Sequence, residues 1–209
     1  AQRRGIPAEQ VLRLSLPVKA NLGVIEFDAL AQQVRDFMGP HVQALALAWV
    51  EPYAVECNSI TSALTLGYQA LACSNTCAPT ATSRLFNTNS LNPWTDLGVR
   101  PSMLLASGSV PLAKAMIDRG IAADQQLGKR GVPIANAVFV HTTDSARNVR
   151  SRLYPGARSV PARGFQIERR DAADTTPLQR VFLYQTGLIR MENPAAIPWL
   201  AGALADHLT

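Results

Sequence analysis

Three short, almost uninterrupted apolar runs set the strongest limit on how this chain folds. Gln43 to Val50 reads QALALAWV, Ala135 to Val140 reads ANAVFV and Val181 to Tyr184 reads VFLY. Runs of this length without polar alternation mark strands buried on both faces. Between them stand segments of helical period. Phe27, Leu30, Ala31, Val34 and Phe37 share one helical face that stops at Gly39-Pro40, the pairing expected at a helix end. Ile60, Ala63, Leu64, Gly67, Tyr68 and Leu71 form a second such face behind Asn58 or Ser59, and Ala113, Met116 and Ile117 a third behind Ser109; Asn and Ser are favoured caps. Val11 to Leu16 and Met103 to Ala106 read as further strands, and Phe165 to Glu168 as an edge strand. Thr142 or Thr143 caps a helix reaching Tyr154-Pro155-Gly156, and Ala195 to Leu208 reads as helical with a break at Pro198. Strand, helix and strand in alternation predict an α/β fold: a single three-layer domain over residues 1–209, with a mostly parallel sheet and helices on both faces. The turn-rich stretch 73–101 is a long loop excursion from it.

Charge is unevenly distributed. The chain of 209 residues carries 20 basic and 15 acidic side chains. Residues 1–109 are balanced, seven against seven, so the whole excess of +5 lies in the second half. From Lys129 to Arg170 there are nine basic residues and two acids, Asp144 and Glu168. Such a strip suits an anionic polymer or an acidic protein partner. No aromatic side chains interleave with it as a stacking platform for single-stranded nucleic acid requires, so a nucleic-acid partner is not expected. No apolar run approaches the ~20 residues of a transmembrane helix.

Open parallel sheets bind ligands beyond the carboxyl ends of their strands, which singles out the residues after each predicted strand. These are Glu51-Pro52-Tyr53, Ser107-Gly108-Ser109, His141-Thr142-Thr143-Asp144 and Gln185-Thr186-Gly187. His141 beside a helix start can act as a base or anion contact, with Thr143 and Asp144 at hand. Ser107 and Ser109 offer hydroxyls to an anion, or simply cap a helix. Arg147, Arg150 and Arg152 are the candidate anion-binding cations, and Asp206-His207 is a second acid–base pair. No phosphate-binding glycine loop, dinucleotide fingerprint, nucleophile elbow or H-E-x-x-H occurs. His41, His141 and His207 are scattered and there is no C-x-x-C, so neither a metal site nor a cofactor is predicted. Cys73 and Cys77 flank a turn and can approach the ~5–6 Å Cα separation of a disulfide. Cys57 is a buried thiol or the partner of either. A disulfide points to an oxidising, extracytoplasmic compartment.

Several phrases occur together in one group of proteins. They are RGIPAEQV (Arg4–Val11), CNSITSAL (Cys57–Leu64), DLGVRPSMLL (Asp96–Leu105), Ile117-Asp118-Arg119-Gly120, TDSARNVR (Thr143–Arg150) and ALADHLT (Ala203–Thr209). With these the chain resembles an uncharacterised family of secreted bacterial proteins found in species that carry the exosortase sorting system. The resemblance implies export to the cell envelope or beyond, and that the chain is part of a longer precursor. It assigns no catalytic residue. The expected function is therefore non-enzymatic binding or assembly on an anionic polymer or protein partner. The alternative is a hydrolase loosely like the caspase-type peptidases, with His and Cys after neighbouring parallel strands; the usual His-Gly is missing here, and no Cys follows Cys77.

Overall fold

A computed structural model describes residues 1–75, 77–124 and 126–207. The chain forms two compact units, Ala1–Ala113 and Lys114–Thr209, and its strands fall into three sheets rather than one.

In the first unit, β1 (Asn21–Leu22) leads into α1 (Val24–Phe37). The Glu26 carboxylate accepts the Gly23 N–H at 2.7 Å and Lys19 Nζ at 2.7 Å, which closes the helix start. The face read from the sequence is the buried one: Phe27, Leu30, Ala31 and Val34 pack with Leu22, Leu47, Val55, Ile60 and Ala63. Leu47 comes from β2 (Leu45–Leu47), Val55 from β3 (Ala54–Val55), and Ile60 and Ala63 from α2 (Ile60–Leu66), which follows β4 (Asn58–Ser59). Ser59 caps α2 by accepting the Ser62 N–H at 3.1 Å. β1 pairs with β3 in parallel, and β3 with β4 in antiparallel. The short α3 (Leu71–Ser74) carries Cys73. The 73–101 excursion contains α4 (Pro93–Leu97), and β5 (Ser102–Leu104) then pairs in parallel with β2. The Arg100 guanidinium lies 3.4 Å from the Trp94 ring centre and donates to the Val42 and Gly39 carbonyls at 2.8 and 3.1 Å. This cation–π and hydrogen-bond clamp anchors the end of the excursion.

Val11 to Leu16 is not a strand. Leu12, Leu14 and Leu16 do alternate inward onto the core, but their backbone joins no ladder. The alternation of the leucines is real, but pairing needs a neighbouring edge, which no local pattern encodes.

α5 (Val110–Ala123) spans the boundary between the units. The second unit is built on one sheet in the order β10-β9-β6-β8-β7: β6 (Ala135–His141), β7 (Arg158–Val160), β8 (Phe165–Asp171), β9 (Val181–Thr186) and β10 (Trp199–His207). All pairs are parallel except β7 with β8. Ala135 to Val140 is buried on both faces, as its composition demands. One face packs Ala137, Phe139 and Ile167 under Tyr154, whose ring meets Phe139 at 5.1 Å. The other packs Val138, Val140, Val181 and Tyr184 beneath Leu178, Met191, Ile197 and Trp199.

Three expectations change here. β8 is an inner strand, covered by β7. The helix expected after Thr143 is a 3-10 segment, Asn148–Leu153. The helix expected over Ala195–Leu208 is β10 (Leu208 lies outside the described residues). Ala and Leu favour helix only weakly, and the open edge of β9 captures this segment in parallel register, Leu204 beside Leu183 and His207 beside Thr186.

Candidate functional site

The sheet of the second unit contains a topological switch point. From β6 the chain moves to β8 on one side, and from β9 to β10 on the other, while β6 and β9 are neighbours. Carboxyl ends at such a point diverge, leaving the crevice where α/β sheets place ligands. Register brings Asp171, His141, Thr186 and His207 to this one edge: His141 pairs with Asp171, Val140 with Thr186, and Thr186 with His207.

On the Tyr154 face the crevice is filled. Thr142 is buried; its N–H donates to Asn148 Oδ1 at 3.2 Å and its hydroxyl to the Gly187 carbonyl at 3.5 Å. A Cβ on Gly187 would lie 2.7 Å from the Arg147 carbonyl oxygen and 3.0 Å from Asn148 Cα, so the close approach of these backbones requires glycine. On the opposite face lies a cleft of about 350 Å³, lined by Val140, Arg170, Asp171, Asp174, Tyr184 and Glu192 among others.

His141 Nδ1 is 3.5 Å from Asp171 Oδ1, with the two side chains 51% and 83% exposed. Thr143 is exposed. Asp144 pairs with Arg147 Nη1 at 2.9 Å and accepts its N–H at 3.1 Å; the Arg147 side chain and then its backbone amide hold this carboxyl below the ordinary range. Asp206 accepts from Arg150 Nη1 at 2.7 Å and from Gln185 Nε2 at 3.1 Å. Burial raises the nearby Tyr154 hydroxyl; Arg150 opposes the shift and Asp206 adds to it. Two of the three candidate anion-binding arginines, Arg147 and Arg150, are thus committed to carboxylates of the same unit. Arg152 is exposed and has none among the described residues. Ser107 and Ser109 belong to the first unit, where Ser109 Oγ accepts the Leu112 N–H at 3.4 Å, the cap geometry.

Cys73 pairs with Cys57, not with Cys77, at 5.2 Å between Cα atoms; Cys77 is an exposed free thiol. The tight β3–β4 turn brings Cys57 to α3, and the buried Asn58 holds that approach, its amide donating to the Gln69 carbonyl at 3.2 Å and accepting the Gln69 N–H at 3.2 Å. Proximity along the chain favoured Cys77; the packing of α3 against the turn decides for Cys57.

Arg170, Asp171, Asp174, Tyr184 and Glu192 escaped the sequence reading. Asp171 ends the strand parallel to β6, and a correct length for β8 would have revealed it. Among the described residues no group of three or more His, Cys, Asp or Glu is placed to hold a metal ion. No helix there is long and apolar enough to cross a membrane. Compared with known proteins, the chain matches no family model, no curated protein and no solved structure.

Proposed function

We propose that this is an extracytoplasmic, non-enzymatic binding protein, of the exosortase-associated secreted family, that engages an anionic polymer through the second unit. One observation carries the reading. Of the nine cations between Lys129 and Arg170, three are committed to carboxylates: Arg147 to Asp144, Arg150 to Asp206 and Arg170 to Glu168. The other six, Lys129, Arg130, Arg152, Arg158, Arg163 and Arg169, are exposed and have no carboxylate partner among the described residues.

Arg152 lies on the 3-10 segment Asn148–Leu153; the other five gather around the β7 edge. Arg158 stands opposite Ile167, so it shares that residue's face with Arg169, two positions further along β8. Arg163 ends the turn between β7 and β8, where Gly128 and Gly164 approach so closely that a Cβ on Gly164 would meet Gly128 N at 1.9 Å. That contact sets Lys129 and Arg130 beside Arg163. Uncompensated guanidinium groups on an exposed edge recognise carboxylates, sulfates or phosphates in bidentate fashion. The disulfide supports the extracytoplasmic part of the reading.

The test is retention on an immobilised acidic polysaccharide such as alginate. Arg152→Glu/Arg158→Glu/Arg169→Glu abolishes retention, whereas Arg150→Gln leaves it largely intact, and retention falls steeply with salt. Salt-independent retention, or equal retention by the triple variant, refutes the reading.

The hydrolase alternative rests on the His141–Asp171 contact at the switch point. Turnover of ester or peptide substrates that His141→Ala eliminates would favour it.

A further inference from the structure

The two sulfurs of the Cys57–Cys73 bond have unequal surroundings. Cys73 Sγ accepts the Cys57 N–H at 3.3 Å and the Asn58 side-chain amide at 3.5 Å. It also lies 3.5 Å from the Tyr68 hydroxyl, which must be the donor because a disulfide sulfur carries no proton. Cys57 Sγ, among the described residues, accepts from the Asn58 amide alone, at 3.4 Å. A neutral sulfur is a weak acceptor and gains little from three donors. A thiolate gains much more, since hydrogen bonds to an ionised acceptor are roughly twice as strong. The donor set therefore suits Cys73 as a free thiolate better than as half of a disulfide.

The fold, rather than the bond, holds these donors. Asn58 is buried and bridges to both backbone groups of Gln69 at 3.2 Å. The Cys57 N–H belongs to the tight turn between β3 and β4, and the Tyr68 ring packs against the core of the first unit. All three stay in place when the sulfurs part. Both half-cystines are exposed, so a thiol from outside can reach the bond. In thiol–disulfide exchange the sulfur that is the more stable thiolate leaves faster. That chemistry gives the bond a direction: Cys57 is attacked and Cys73 departs.

We infer that Cys57–Cys73 is a redox-active bond that oxidises the thiols of cysteine-containing peptides. A peptide thiolate attacks Cys57 Sγ, forming a mixed disulfide, and the electron pair of the broken bond passes to Cys73, which the three donors receive. A second peptide thiolate attacks the peptide sulfur of the mixed disulfide and releases Cys57, which takes up a proton. Two peptide thiols become one peptide disulfide, and the disulfide of the chain becomes two thiols. Cys77, an exposed free thiol, stays outside this cycle, because its attack on Cys73 would expel Cys57, the sulfur with the single donor.

The experiment exposes the folded, oxidised chain to reduced glutathione, quenches with acid, alkylates free thiols and maps the products by peptide mass spectrometry. Glutathione should be found on Cys57 with Cys73 alkylated, at least about tenfold over the reverse arrangement. Tyr68→Phe keeps the ring and removes one donor, so it should slow the reaction several-fold, whereas Cys77→Ser should react at the wild-type rate. In the reduced chain, the pH profile of Cys73 alkylation should fall below the ordinary thiol value of about 8.5, with Cys77 as the internal comparison. Adducts shared equally between Cys57 and Cys73, as attack on unfolded chains gives, would overturn the assignment. So would a disulfide that glutathione leaves intact, an unchanged rate in Tyr68→Phe, a rate that depends on Cys77, or a Cys73 profile that coincides with that of Cys77.

Discussion

Breaking the Cys57–Cys73 bond should destabilise the first unit by an amount the loop length dictates. The two residues are 16 apart. Cross-linking across that separation removes chain entropy from the unfolded state worth about 3 kcal/mol at 25 °C, whereas closing the four-residue step from Cys73 to Cys77 would be worth only about 2 kcal/mol. The native geometry survives the loss, because Asn58 bridges to both backbone groups of Gln69 without the sulfurs. Cys57→Ser, Cys73→Ser and the double variant should therefore fold, and each should lose the same stability, since either substitution removes the one bond. Hydrogen exchange resolved by peptide gives the readout. A loss of about 3 kcal/mol accelerates exchange through global opening of the unit by roughly a hundredfold, visible at β3, β4 and α2. Peptides of the second unit are the internal reference, and Cys77→Ser should change nothing. Additive losses in the double variant would refute the reasoning. So would a Cys77→Ser loss equal to that of Cys57→Ser, or a non-reduced linked peptide containing Cys77.

Two further outcomes follow from the second unit. Gly187→Ala drives a Cβ to 2.7 Å from the Arg147 carbonyl oxygen, where the neighbours are backbone, so it should cost about 1–3 kcal/mol and weaken protection of β9 in hydrogen exchange; a neutral substitution would show that this approach is loose. The depressed Asp144 carboxyl stabilises the folded state at pH values above its unfolded pKa of about 3.9, and that contribution is lost as pH falls through the lower folded value. Carboxyl-carbon NMR should find Asp144 titrating below the ordinary aspartate value, and Arg147→Gln should return it towards that value. An unshifted Asp144 in the wild type would contradict the pairing.

The parts of the fold legible in the residues were those whose signal is local. The face of α1, the capping Ser59 and the doubly buried β6 each follow from side-chain period and burial within a dozen residues. The alternating inward side chains of Leu12, Leu14 and Leu16 were legible too, although the segment's lack of ladder partners was not. Ala195–His207 marks the limit. Its composition favours helix by tenths of a kcal/mol per residue, and the unpaired edge of β9, brought near only by folding, outweighs that preference with a row of backbone hydrogen bonds.

The candidate site divides in the same way. Sequence by itself determined that chemistry would gather after β6, that cations crowd residues 129–170, and that the cysteines would matter. It could not say which arginines remain uncompensated, because Asp206 lies 56 residues from Arg150 and meets it only through the β9–β10 register. Nor could it choose between Cys57 and Cys77, or place Asp171 and Tyr184 around one cleft. Pair formation, charge balance and cavity shape depend on distances between residues far apart in the chain, and only the tertiary structure sets those.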